Sequence, residues 1–270
     1  MEEVKNKFAV YTALFGNYDD LIDPKENYEG CDFICFTDQK HLKSDIWEIR
    51  LIEECDLTPN MMNRKYKILP HLFLSEYEWS MYVDANIKIL NNPFDLASKY
   101  LTKYDFVMPK HFARDCIYEE AKECVILGKS KYDETQKQMN FYKEQGFPKN
   151  FGLGENNILF RKHNEKKVVK IMNDWWNELN TQTKMDQLSL AFVLWKNSEK
   201  FEYMDENARG NKYFKVKPHS NALIKNCKIY NYVIYQIHNY PNITPYIKYV
   251  IAILFRLCKV FKSQGVKNAK

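Results

Sequence analysis

Residues 79–90 read WSMYVDANIKIL. Apart from Ser80, the first five are aromatic or apolar, the composition of a strand buried on both faces. The run then delivers one carboxylate, Asp84, and one carboxamide, Asn86. In open α/β sheets, ligands gather where strands end at their carboxyl side. A carboxylate placed there suits a hard divalent cation whose other ligands are water and the oxygens of a diphosphate. The same D-x-N spacing is also a common turn-former, so a ligand site and a plain turn both stand as readings.

The segments around this stretch carry the same grammar. Residues 7–15 (KFAVYTALF) run apolar into Gly16-Asn17, and residues 31–37 (CDFICFT) run apolar into Asp38, as buried parallel strands do. Residues 47–52 are a third candidate strand. Thr58-Pro59 then supplies a capping residue and a proline suited to the first helical position, which predicts a helix over 59–74. On its wheel Met61, Met62, Ile68, Leu69, Leu72 and Phe73 share one arc, whereas Arg64, Lys67 and His71 form a basic stripe opposite. Beyond residue 90 the pattern predicts a short helix from Pro93, a strand over 104–108, helices over 115–127 and 131–143, a strand over 156–161, and helices over 164–179 and 185–195. Trp175 and Trp176, at helical spacing with Val168, Ile171, Met172 and Leu179, read as core. Strands alternating with helices and then a helix-rich half indicate an α/β protein, with a Rossmann-like, mixed, mainly parallel sheet flanked by helices. We expect one domain over 1–242, with a nucleotide-binding half over 1–110 and an acceptor-side half over 111–242.

Composition narrows the classes. The chain has 270 residues, 45% of them apolar, enough for a substantial core, and only 8 glycines and 9 prolines. Seven cysteines lie at scattered positions with no C-x-x-C pair, and the N-terminus has no apolar signal core. This predicts a cytoplasmic protein with neither a disulfide framework nor structural zinc. The net charge of +5 is unevenly placed: residues after Glu206 include twelve Lys and Arg and no acid, which leaves −7 on residues 1–206. Within that basic quarter, residues 246–262 (YIKYVIAILFRLCKVFK) are too interrupted by Lys and Arg to span a bilayer. They predict a basic amphipathic tail over 243–270 lying on an anionic membrane surface; an ordinary packed helix is the other reading. Basic residues without a reading motif argue against nucleic acid as a partner.

Five segments, in order, resemble the family catalogued as domain of unknown function 616, typified by plant mucilage-related proteins. They are R-x-x-K-x-L-P-H (Arg64, Lys67, Leu69, Pro70, His71), WSMYVDA, IYEEA at 117–121, ENNILFRKH at 155–163 and DQLSLAFV at 186–193. The resemblance covers about residues 8–196, and the opening strands resemble the GT-A class of nucleotide-sugar glycosyltransferases. It implies a GT-A-like fold and transfer of a sugar from a nucleotide sugar, with a UDP-sugar as the default donor and Mn²⁺ or Mg²⁺ as cofactor. It names no acceptor; a glycan or lipid-linked glycan is the acceptor we expect, the latter because it would explain the basic tail. The second acid of D-x-D is Asn86 here. The H-x-x-G-x-x-K-P-W ending of related retaining enzymes is missing, with KVKPHSNA around His219 in its place.

Sugar transfer needs the leaving diphosphate stabilised and the acceptor hydroxyl positioned. Asp84, with Asn86 and either His219 or His238, forms the candidate metal set. Arg64, Lys67 and His71 suit phosphates and sugar hydroxyls; a solvated helix face is the other reading. Tyr11, Thr12 and Asn17, at the end of the first strand, are candidates for the base and ribose, and His111 and Arg114 for flanking the donor. Glu119 and Glu120 are expected on an exposed helix face. Glu155, Asn156 and Asn157 form a polar cluster before a strand, with Glu155 a catalytic candidate and the two asparagines, with Gln187, candidates for acceptor binding. Asp186 either opens its helix as a simple dipole partner or acts in catalysis, as base in an inverting reaction or as stabiliser of a transient cation in a retaining one. A nucleotidyltransferase and a non-catalytic nucleotide-sugar-binding subunit of a polysaccharide assembly complex are the competing readings. The first lacks a glycine-rich basic loop for a triphosphate.

Overall fold

Strand β1 (Phe8–Leu14) is apolar at every position but Thr12 because both of its faces are covered. Phe8, Val10 and Leu14 enter one hydrophobic cluster, and Ala9, Tyr11 and Ala13 the other. A computed structural model describes residues 8–217 of the chain, apart from Cys55 and Gly128. In it β2 (Asp32–Thr37) and β4 (Trp79–Val83) flank β1 in parallel, and β3 (Glu48–Leu51) lies parallel beside β2. On the other side β7 (Ile158–Arg161) runs antiparallel between β4 and β6 (Phe106–Pro109), and β8 (Tyr203–Met204) closes the edge parallel to β6. The seven-stranded order is β3-β2-β1-β4-β7-β6-β8. The order reverses between β1 and β4, and in open α/β sheets the carboxyl ends of such strands are where ligands gather. A separate antiparallel pair joins β5 (Ile87–Ile89) to β9 (Phe214–Val216).

Among the described residues six helices cover the sheet. Helices α1 (Pro59–Ile68), α3 (Ile117–Ile126), α4 (Tyr132–Glu144), α5 (Lys166–Thr181) and α6 (Asp186–Lys196) supply the cluster on the Tyr11 face. Helix α2 (Phe94–Tyr100) and the β5–β9 pair cover the other. Trp175 is fully buried in α5, so the expected core role holds, and its truncation to Ala would cost about 3–5 kcal/mol. Trp176 is half-buried at the margin of the same cluster. Among the described residues no helix is long and apolar enough to cross a membrane.

Three details differ from the sequence reading. The helix expected over 59–74 stops at Ile68 and continues as a single 3-10 turn, Pro70–Leu72, because Pro70 has no N–H for the helical ladder. Glu120 is not on an exposed face: it is 3% exposed and accepts a 2.6 Å hydrogen bond from Arg114 Nε. Tyr11 is not at a strand end, since β1 continues to Leu14. Beyond β1, Gly16 adopts φ 65° and gives its N–H to both carboxylate oxygens of Asp38 at the end of β2. A side chain there would also press on Pro59 at 3.1 Å. His219, His238 and the basic tail lie outside the described residues.

Candidate active site

The buried β4 run ends at Val83, and the next residue turns. Asp84 N–H is held by Asn157 O at 2.9 Å and Asp84 O accepts from Ile87 N–H at 2.9 Å. The turn reading holds, and the turn fixes the Asp84 carboxylate at the carboxyl end of β4. Tyr82 OH donates to Asp84 Oδ1 at 2.8 Å, and the Asp84 side chain stays 35% exposed. Asn86 is buried and donates through Nδ2 to Lys217 O at 2.9 Å, while Lys217 N–H returns a 2.7 Å bond to Asn86 O.

The basic stripe of α1 faces the site instead of water. Lys67 Nζ donates to Asp186 Oδ2 at 2.6 Å and stands 3.8 Å from Asp84 Oδ1; Arg64 approaches Asp186 Oδ1 at 3.7 Å. One ammonium thus serves two carboxylates. Burial alone would push the Asp186 carboxyl up, but Lys67 and Arg64 outweigh it and hold the group at about 2. The Asp186 carbonyl accepts from Trp175 Nε1 at 3.0 Å. Gln187 reaches across to Gly154 O at 3.2 Å, tying the first turn of α6 to the segment before β7.

That segment holds Glu155, Asn156 and Asn157. Glu155 is 4% exposed and accepts from Arg209 Nε at 3.0 Å and Nη2 at 2.6 Å. Burial pushes its carboxyl up, and Arg209 opposes this. The same guanidinium lies 3.6 Å above the Phe112 ring. Asn156 is buried, and among the described residues neither amide atom has a hydrogen-bond partner. His111 accepts backbone N–H from Arg114 at 3.1 Å and faces Glu120 at 3.7 Å, so His111 and Arg114 build the loop around Phe112.

Several donor candidates prove to be support. Tyr11 is fully buried inside β1, donating to Lys67 O at 3.0 Å and accepting from Arg161, so its ring cannot meet a base. Thr12 is 1% exposed, whereas Asn17 lies exposed in the loop after β1. His71 pairs with Asn173 and lies beside Arg161, and burial is the main cause that lowers its pKa. Three residues were missed. Tyr82 sits two residues before Asp84 on the same strand face, a signal visible in the sequence. Tyr18, 49% exposed, faces Asp84 and Arg64 closely enough for both charges to act on its hydroxyl. Arg209 was read only as part of a basic stretch.

The donor set fits a divalent cation of the kind that takes one protein carboxylate and completes its shell with phosphate oxygens and water. Asp84 offers that carboxylate with an accessible face. Among the described residues no three His, Cys, Asp or Glu side chains gather to hold a metal.

A family model described as TOD1/MUCI70, glycosyltransferase-like domain, matches residues 1–219. The match runs past residue 196, where the resemblance read from the sequence stopped, and includes β9. A curated relative, the "Probable hexosyltransferase MUCI70" of Arabidopsis thaliana, is 23% identical over 217 residues, covering 68% of this chain and 36% of that protein. The chain therefore spans about a third of that relative's length.

Proposed function

Because the chain belongs to the TOD1/MUCI70 glycosyltransferase-like family, we propose that it transfers a sugar, a hexose by default, from a UDP-sugar to a polysaccharide or glycolipid acceptor with the help of Mn²⁺ or Mg²⁺. The observation that carries this reading is Asp84: a partly exposed carboxylate at the switch point of the sheet, beside the Lys67 ammonium.

Asp84 would hold the cation, and Asn86 and His219 are the other ligand candidates. His219 is preferred over His238 because it follows Lys217 by two positions in the sequence, and Lys217 is tied to Asn86 by its own N–H and by Asn86 Nδ2. When bound, the cation supplies charge neutralisation at the two phosphates of the leaving group. Lys67 and Arg64 add fixed positive charge, preorganised by Asp186 so that it needs no rearrangement as the glycosidic bond breaks. Asp186, kept ionised by Lys67 and Arg64, holds Lys67 in place and adds negative charge near the site, either as base in an inverting reaction or as stabiliser of a transient cation in a retaining one. Tyr18, instead of Tyr11, takes the nucleobase or ribose at the mouth, with Asn17. Asn157 and Gln187 meet the acceptor, whereas Asn156 is buried and not in reach of it, and Glu155 keeps Arg209 and Phe112 in position. The cytoplasmic face of a membrane is the proposed location, through residues 243–270.

Incubation with Mn²⁺ and a panel of nucleotide sugars, following release of nucleoside diphosphate, tests the reading. Transfer or slow donor hydrolysis that Asp84→Ala abolishes is the expected result. Binding of nucleotide with no turnover on any donor would favour a non-catalytic subunit instead.

A further inference from the structure

Arg161, in β7, is fully buried, and among the described residues no carboxylate pairs with it. Its partners are neutral: Nη2 donates to the Tyr11 hydroxyl and, at 2.9 Å, to Lys67 O, and Nη1 lies 3.2 Å from Met172 Sδ. A guanidinium does not shed its proton in a protein, so a whole charge is kept in the core, where an apolar side chain of similar volume would serve packing alone at lower cost. Two routes lead from this charge to the site. The first is Lys67 itself, whose carbonyl Arg161 binds while its ammonium, at the other end of the side chain, reaches Asp186 and Asp84. The second runs through Tyr11, whose ring meets Tyr82 edge-on at 5.4 Å between centroids; Tyr82 OH then holds Asp84 Oδ1.

We infer that Arg161 is a positioning residue for the transfer reaction: from between the sheet and α1 it sets where the Lys67 ammonium and the Asp84 carboxylate stand. This rests on the transferase reading. Arg161 also binds a carbonyl in the last turn of α1, the end of a helix that attracts positive charge. The tie therefore fixes the part of α1 that presents both Arg64 and Lys67. A shift of about 1 Å in such a group is enough to cost on the order of a hundredfold in rate.

Three variants test it in the full chain: Arg161→Met, which keeps length and removes charge and donors; Arg161→Lys, which keeps charge and loses the two-point bond; and Tyr11→Phe, which removes one hydroxyl. The expected result is a fall in kcat of roughly tenfold or more for Arg161→Met with donor KM changed less than about threefold, partial recovery in Arg161→Lys, and a smaller fall for Tyr11→Phe. Should Arg161→Met not fold, Tyr11→Phe decides. A ligand-free readout accompanies these: the melting-temperature losses of Arg161→Met and Lys67→Met, measured singly and together, are expected to be non-additive, because a misplaced Lys67 has less to lose. Unchanged kcat in folded variants, or strictly additive losses, would overturn the inference. A wild-type protein that turns over no donor would sink the transferase reading alone and leave the additivity test to judge Arg161.

Discussion

Two ionic clusters stand a few residues apart at the same end of the sheet, and they are built on opposite plans. In the Glu155 cluster one carboxylate meets one guanidinium through two hydrogen bonds on a single oxygen, sealed under 4% exposure and stacked on Phe112. In the Asp84 cluster one ammonium is shared between two acids, at 2.6 and 3.8 Å, and one of those acids is a third exposed. The first pair is sealed from solvent, whereas a shared cation beside an accessible carboxylate is an arrangement that an incoming ligand can complete. Function is therefore expected to sit with the cluster that a ligand can reach.

The contrast can be broken first at Asp84. Asp84→Asn is expected to lower turnover by about a thousandfold while moving the melting temperature by no more than a few degrees, measured by product release and calorimetry on the same preparation. Lys67→Met comes next. It leaves Asp186 buried beside only the more distant Arg64, so a loss of about 3 kcal/mol in stability and about a hundredfold in turnover is expected from denaturant titration and kinetics. Arg209→Met is expected to show the reverse balance, with about 2 kcal/mol of stability lost and a smaller change in turnover than Lys67→Met. A larger loss of turnover than Lys67→Met would place the chemistry in the wrong cluster.

Acid unfolding sharpens the same comparison. Asp186 has its carboxyl lowered to about 2 in the folded protein from an ordinary 3.8, so its contribution is whole above about pH 4 and fades as pH falls through 2. That contribution is about 2 kcal/mol, and Asp186→Asn should remove this segment of the stability–pH curve. The smallest effect belongs to the tail. A chain ending at Asn242 is expected to lose co-sedimentation with phosphatidylserine vesicles and to keep turnover on a soluble acceptor; equal sedimentation of both chains would remove the membrane role.

Periodicity made most of the fold legible. The buried runs of β1, β2 and β4 and the spacing in α3 to α6 placed those elements within a few residues, because strands covered on both faces leave continuous apolar stretches. It did not reveal that β7 runs antiparallel, since NNILFR reads the same in either direction. Nor did it reveal β5, β8 and β9, of two or three residues each, too short to show a period. In the site, Asp84, Lys67, Arg64 and Asp186 were legible through residue type at strand and helix ends. Their partnership across 119 residues was not, because long-range pairing leaves no local signal. Tyr11 was misplaced by a strand that runs three residues further, and Glu120 by a burial that only its pairing with Arg114 permits.

The most direct test of the central claim is Mn²⁺ binding by titration calorimetry, with and without UDP, for the wild type and Asp84→Asn. The account predicts weak binding alone, tightening of about tenfold or more when UDP is present, and loss of that tightening in the variant. An affinity that UDP leaves unchanged, or that Asp84→Asn retains in full, would contradict it.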